Sequence, residues 1–243
     1  MKTVIVGDIH GRTVWKDIQK KEHPDKMVFL GDYVSTHESI SSLQQIDNLK
    51  NILALKEQNP ERFILLRGNH DMQHLGYKWA SCSGLDLYVL NFMSNIDVKN
   101  RFLDCTQWIY EMESGNQRIL CSHAGITQVW MNNCNFHSVT DINEQPPSEL
   151  FAFSPDSPYD GCGDSITQPC TWVRPMSLRE NAIPGYTQIV GHTPVLFFDR
   201  PRKCKTQETD DDVWLCDTLQ EKGYLVIEDN LVEPRTLKNE AHP

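Results

Sequence analysis

The sequence predicts an α/β chain built on a parallel sheet. Three observations carry that reading. Residues 2–6, 27–30 and 63–66 are short, nearly continuous apolar runs. The segments between them place apolar residues at helical spacing. Each run ends in a small polar cluster containing glycine. Strand, helix, strand, helix, strand in that order argues right-handed βαβ units.

Residues 2–6 (Lys-Thr-Val-Ile-Val) read as a buried strand, followed by a helix from about 13 to 21. The second run ends in Gly31-Asp32. Residues 38–58 follow, with Ile40, Leu43, Ile46, Leu49 and Leu53 on a helical period and Pro60 just beyond. The third run ends in Arg67-Gly68-Asn69-His70. A helical stretch is predicted over 84–104. Residues 106–113 and 117–122 read as strands around Ser114-Gly115-Asn116, a hairpin. Residues 132–175 are rich in Pro, Ser, Asp and Gly and read as a long irregular segment. Such a segment on a fixed scaffold is the place to look for substrate selection. Strands are expected again at 186–198, 213–217 and 222–228. Neither a repeat nor a linker is apparent, so residues 1–243 are read as one domain with an insertion or lid at about 132–175.

Composition narrows the function. The chain has 243 residues, is 39% hydrophobic and carries 23 Lys and Arg against 33 Asp and Glu, a formal charge of −10. That is enough for a sizeable core. Duplex nucleic acid is not an expected partner, since backbone binding relies on Lys and Arg. A phosphorylated substrate stays open, because metal ions supply local positive charge. No apolar run approaches the ~18 residues of a membrane span, and the first residues are too short and polar a stretch for a secretory signal. The expected location is the cytoplasm, with free thiols. None of the eight cysteines is in C-x-x-C spacing. Small buried thiols are therefore expected rather than disulfides or a zinc site of Cys162, Cys170, Cys204 and Cys216. The basic residues of 200–205 precede Glu208 and Asp210 to Asp212, which suits a solvated hairpin loop. Trp108, Trp130 and Trp172 are expected in packing, and His23, His74 and His137 as surface or satisfied histidines.

Five polar clusters carry the chemistry: Gly7-Asp8-Ile9-His10-Gly11, Gly31-Asp32-Tyr33-Val34, Gly68-Asn69-His70-Asp71, Ser122-His123-Ala124-Gly125 and Gly191-His192-Thr193-Pro194. Each follows or adjoins a strand-like run. In an open α/β sheet the carboxyl ends of the strands line one crevice. Asp8, His10, Asp32, Asn69, His123 and His192 are therefore expected to meet. This oxygen and imidazole set suits first-row cations. Six groups exceed one tetrahedral site, and with Asp32 shared they divide between two metals about 3.5–4 Å apart.

In this order the clusters GDIHG, GDYV, GNHD, SHAG and GHTP resemble the calcineurin-like metallophosphoesterases. The likeness is to the Ser/Thr protein phosphatase type and its bacterial relatives, including the symmetrical dinucleoside tetraphosphatases. It spans about residues 1–230, where Cys216-Asp217-Thr218 and Gly223-Tyr224-Leu225 look like the closing strands. The resemblance implies a four-layer α/β/β/α sandwich of two β-sheets with helices outside. It implies that Asp8 and His10 hold one metal, Asp32 bridges, and Asn69, His123 and His192 hold the other. Manganese is the metal expected to work in vitro, with iron or zinc as alternatives. His70 would stand by the leaving group, and Arg174 would grip phosphate. Two cations would lower the pKa of a bridging water, and hydroxide would attack in line.

The resemblance breaks at one place. The usual continuation GDYVDRG runs Gly31-Asp32-Tyr33-Val34-Ser35-Thr36-His37 here. Ser35 replaces the aspartate that orients the acid histidine, and Thr36 replaces a phosphate-gripping arginine. A hydroxyl does not stabilise imidazolium as a carboxylate does. The expected consequence is a weaker acid, with Asp71 or His37 as substitute partner and Arg12 as substitute cation. Substrates are expected to be phosphoproteins or small phosphorylated molecules hydrolysed as monoesters. A dinucleoside polyphosphate is the alternative, since an anhydride depends less on His70. A catalytically silent metal-binding scaffold is the third reading.

Overall fold

The computed structural model describes residues 1–36, 38–154 and 163–238. Among these, ten strands form two mixed five-stranded sheets. They are β1 (Thr3–Val6), β2 (Lys26–Phe29), β3 (Phe63–Leu65), β4 (Ile109–Ser114), β5 (Gln117–Ser122), β6 (Thr187–Val190), β7 (Arg202–Lys205), β8 (Asp212–Leu215), β9 (Gly223–Glu228) and β10 (Leu231–Thr236). The first sheet runs β10-β9-β1-β2-β3 and the second β4-β5-β6-β8-β7. β1, β2 and β3 are parallel, with Val4 opposite Met27 and Val28 opposite Ile64. β5, β6 and β8 are parallel as well. Antiparallel strands close both edges of each sheet except at β3.

Alternation along each strand builds the layers. Ile5, Val28, Ile64, Leu225 and Ile227 of the first sheet pack with Met112, Ile119, Cys121, Ile189 and Trp214 of the second. Val4, Val6, Met27 and Phe29 face the other way, against α1 (Trp15–Glu22) and α2 (Ser42–Gln58). Strands covered on both faces read as continuous apolar runs, which is why β1 to β3 were plain in the sequence. The remaining helices are α3 (Asn69–His74), α4 (Leu87–Met93), α5 (Ile96–Cys105), α6 (Gln128–Asn133) and α7 (Pro175–Asn181). Leu178 of α7 packs with Val190 and Val213 on the outer face of the second sheet.

Several expected elements change. The helix expected over 84–104 is two helices. Asp86 Oδ1 accepts from the amides of Tyr88 and Val89 and starts α4. Asn95 Oδ1 accepts from the Asp97 amide and restarts the chain as α5. Side chains of this kind satisfy the orphan amides of a first turn, so they cap rather than continue a helix. The helix expected from 38 begins at Ser42, behind a capping box of Ser41 and Gln44. The strand expected over 186–198 ends at Val190, where the chain leaves the sheet to present Gly191-His192. The basic run is not a loop: residues 202–205 form the exposed edge strand β7, pairing with β8. β10 was not foreseen; its Pro234 is tolerated because the strand is an edge.

The described parts of the segment 132–175 are anchored in the core. Val139, Ile142 and Phe151 are buried from its side, and the Phe151 ring stacks on Trp108 at 3.7 Å. Residues 155–162, and with them Cys162, lie outside the described residues, as does His37. The seven described cysteines are free thiols. No helix among the described residues is long and apolar enough to cross a membrane.

The cap at Asn95 yields a prediction. Asn95→Ala should cost about 1 kcal/mol, read as a lower urea midpoint with an unchanged m-value.

Candidate metal centre and active site

Loops leaving the carboxyl ends of β1, β2, β3, β5 and β6 converge on one cleft of about 720 Å³. Asp8, His10, Asp32, Asn69, His70 and His192 line it, and His123 lies buried beneath. The turns are sharp. His10, Asp32 and His192 each adopt a left-handed backbone, with φ of 44°, 49° and 62°. Non-glycine residues adopt this region at a cost, and they cluster where function requires it. Two glycines make room for carboxylates from neighbouring loops. A Cβ on Gly191 would stand 2.1 Å from Asp8 Oδ1, and one on Gly68 2.1 Å from Asp32 Oδ1.

The side chains form two overlapping donor groups. Ligand atoms of Asp8, His10 and Asp32 lie within 4.8 Å of one another, as do those of Asp32, His123 and His192. Asp32 belongs to both. The backbone orients the rings. His10 Nδ1 donates to the Val34 carbonyl and His123 Nδ1 to the Leu30 carbonyl. A ring whose Nδ1 proton is so engaged keeps Nε2 for a ligand. His123 Nε2 faces Asn69 Oδ1 at 2.9 Å and Asp32 Oδ2 at 3.4 Å. His192 Nδ1 lies 3.1 Å from the same Asn69 oxygen, while its Nε2 is buried with no hydrogen-bond partner among the described residues. The His192 amide donates to Asp8 Oδ1, and the His70 amide to Asp32 Oδ1. A buried ring nitrogen without a partner, among carboxylate and amide oxygens, fits first-row cations bound by mixed N and O donors.

The electrostatics agree. Burial, with Asp32 nearby, pushes Asp8 up to about 6. Burial would raise Asp32 too, but the His123 and His70 rings outweigh it and hold the carboxyl well below its usual range. Burial opposes charge on His123, yet Asp32 and Asp8 raise it to about 10. His192 and His70 are pushed down by burial, His70 to about 4. Asp217, just past the end of β8, is a carboxyl the sequence reading left without a role. Burial and Asp8 push it up to about 8. Its signal was available: like the five clusters, it directly follows a parallel strand. Negative charge accumulates here without full compensation, and a divalent cation would compensate it.

Around this centre the remaining candidates take different tasks. His70 lines the cleft beside His10, the two rings meeting edge to face at 5.5 Å. Arg174 also lines it, with Nη1 donating to Thr193 Oγ1 at 3.2 Å. Asp71 does not take the orienting role expected of it. Its carboxylate accepts from the amides of Asp32, Tyr33 and Gly68, tying the second and third loops together. Arg12 is not a substitute grip either: it pairs with Glu38 and donates to the Asp8 carbonyl. Ser35 Oγ turns away to donate to the Gly84 carbonyl, and Thr36 Oγ1 accepts from the Glu38 amide. The atom against His70 Nδ1 is Cys82 Sγ, at 3.4 Å; burial pushes this thiol up to about 12. Nothing in the sequence patterning singled out Cys82. Trp172, expected in packing, stands in the cleft wall with Phe153 and meets His192 edge to face at 5.6 Å. His74, expected to be satisfied, is buried and bonded.

Residues 1–196 match the calcineurin-like phosphoesterase family, and the chain belongs to it. The family uses divalent metals to hydrolyse phosphoesters. Among solved structures, the chain is similar to a cold-active protein-tyrosine phosphatase of a psychrophilic Shewanella species. The identity is 18% over 98% of this chain and 80% of that one, with a TM-score of 0.60. It is also similar to a protein serine/threonine phosphatase from Saccharomyces cerevisiae, at 15% identity over 100% and 81% with a TM-score of 0.55. A metallophosphoesterase from Sphaerobacter thermophilus matches at 13% over 98% and 89%, with a TM-score of 0.50. These likenesses are of fold.

Two predictions arise from the geometry. Gly191→Ala should displace Asp8 and weaken divalent-metal binding at least tenfold in calorimetric titration, with the Trp fluorescence of the fold retained. Stability should also depend on pH. Asp71 and Asp217, raised to about 8, and His123, raised to about 10, bind more protons folded than unfolded between pH 7 and 8.5. The lowered His70 and His192 are neutral when folded and mostly neutral when unfolded there, so they oppose this only weakly. Stability therefore falls as pH rises through this window. The melting temperature of chelator-treated protein should drop from pH 7 to 8.5, and saturating metal should flatten the dependence.

Proposed function

We propose that this chain is a dinuclear metal-dependent phosphomonoesterase acting in the manner of Ser/Thr protein phosphatases, on phosphoproteins or small phosphorylated molecules. The observation that carries this is the pair of donor groups sharing Asp32 in a cleft that also holds His70 and Arg174. Asp8, His10 and Asp32 would hold one cation, and Asp32, Asn69, His123 and His192 the other. Manganese is the proposed ion in vitro, with iron or zinc as alternatives. Bound there, the pair supplies Lewis acidity to phosphoryl oxygens and makes hydroxide available at neutral pH.

The chain's own residues do the rest. Arg174 grips non-bridging phosphoryl oxygens through charge-assisted hydrogen bonds and fixes the phosphate for in-line attack. The Asp8, His10 and Asp32 side chains are held by backbone hydrogen bonds and the His192 ring by Asn69, so little reorganisation accompanies reaction. His70 donates a hydrogen bond from its Nε2–H to the departing oxygen and so stabilises the charge that develops there. Trp172 and Phe153 make one wall apolar and limit water there. A second reading, hydrolysis of a nucleotide phosphoanhydride, is favoured by the contact of His70 Nδ1 with the Cys82 thiol, no carboxylate being recorded against the ring among the described residues, because an anhydride leaves with less protonation.

Protein reconstituted with Mn²⁺ should turn over p-nitrophenyl phosphate, and Asp32→Asn should reduce the rate to background. Arg174→Ala should lower kcat/KM by about 10- to 100-fold, the worth of one hydrogen bond to a charged group. His70→Asn should slow a phosphoserine peptide far more than the aryl ester. Faster turnover of diadenosine tetraphosphate than of both monoesters would establish the anhydride reading instead; no turnover of any of the three with two ions bound would establish a silent scaffold.

A further inference from the structure

Ser81, Cys82 and Ser83 line the cleft, in a loop running to Asp86 that is tied down along its length. Ser35 Oγ donates to the Gly84 carbonyl at 2.9 Å. Gln73 of α3 accepts from the Cys82 amide and donates to the Ser83 carbonyl. His74 Nε2 accepts from the Asp86 amide at 3.1 Å, and its Nδ1 donates to the His70 carbonyl at 2.8 Å. Ser42 Oγ donates to Asp86 Oδ2. The same short helix that carries His70 thus carries two of the groups that hold this loop. The loop sets Cys82 Sγ 3.4 Å from His70 Nδ1, on the cleft wall.

We propose that this pinned loop is the positioning device for His70, with Cys82 as the residue that orients the ring and Ser35 as the anchor that keeps Cys82 in reach. The proposal rests on the phosphomonoesterase reading for its kinetics but not for its geometry. Ser35 occupies the place where related phosphatases carry a carboxylate, yet its hydroxyl faces the loop, so the substitution moves the orienting task instead of deleting it. A thiol is a weak donor and imidazole Nδ1 a good acceptor. A hydrogen bond from Sγ to Nδ1 leaves the ring proton on Nε2, the only other ring nitrogen. His70 then presents a donor to the oxygen that leaves. Cys82 also meets the Asn69 side chain, so its effect on His70 is read from the tautomer of the ring itself.

The test uses Zn²⁺-loaded protein, with 15N-histidine NMR beside kinetics. Wild type should show His70 as the Nε2–H tautomer. Cys82→Ala should convert it to a tautomer mixture, and Cys82→Ser should restore it. Cys82→Ala should lower kcat about tenfold or more for an alkyl phosphomonoester while leaving KM unchanged. p-Nitrophenyl phosphate, whose leaving group needs little protonation, should change less than about threefold. Ser35→Ala should act in the same direction, and its effect should be lost in the Cys82→Ala background, as expected for residues in one chain of contacts. An unchanged tautomer in Cys82→Ala, or equal slowing of alkyl and aryl substrates, would overturn the proposal. Should wild type hydrolyse neither ester, the activity reading fails and the tautomer measurement still decides the positioning role. Should Cys82→Ala not fold, Ser35→Ala supplies both readouts.

Discussion

Everything in this molecule is arranged around one buried carboxylate. Asp32 belongs to both donor groups, faces His123 on one oxygen and receives the His70 amide on the other. A buried, ionised carboxylate is tolerable only where opposite charge and hydrogen bonds surround it. The fold meets that requirement from four directions. β2 delivers Asp32 on a left-handed turn, Gly68 gives it space, Asp71 holds its amide, and β5 brings His123 from the other sheet. The two sheets must therefore pack in one relative position for the centre to exist. Their shared apolar layer sets that position, and the buried polar atoms above it depend on it.

The same constraint explains why the site is built on turns rather than on strands. A strand residue in mid-sheet has its amide and carbonyl in the ladder and its side chain in a packed layer. The residues just beyond a strand have free backbone groups and can turn inward. His10, Asp32 and His192 accept strained φ values there, and the strain is held by contacts between loops that are far apart in sequence. The backbone carbonyls of Leu30 and Val34, both from the loop after β2, orient His123 and His10. One loop thus aligns rings belonging to both halves of the chain.

His70 is surrounded differently from what its sequence neighbours suggest. Among the described residues no carboxylate is recorded against its ring, and the nearest acid in sequence, Asp71, holds the backbone instead. The contact made by Cys82 comes from a loop whose course depends on Ser35, Gln73 and His74 together. The hydroxyl read as a loss is part of the support. Such a relay leaves no trace in local patterning, because none of its members is close to another in a repeating register.

The sequence alone determined the strands of both sheets nearest the centre and the clusters that follow them. Fully buried parallel strands must be apolar throughout, and tight turns near carboxylates demand glycine, so β1, β2, β3 and the five clusters were visible as residue types in order. The convergence of Asp8, His10, Asp32, Asn69, His123 and His192 on one place was legible for that reason. Only the tertiary structure decided where helices stop, since Asn95 caps or continues according to what its neighbours leave unbonded. It also decided the edge strands β7 and β10, whose exposed sequences carry little hydrophobic pattern. The assignments of Asp71, Ser35, Arg12 and Cys82 belong to it entirely. Those side chains are committed by hydrogen bonds to partners that are distant in sequence or set by loop direction, and direction is a property of the folded chain.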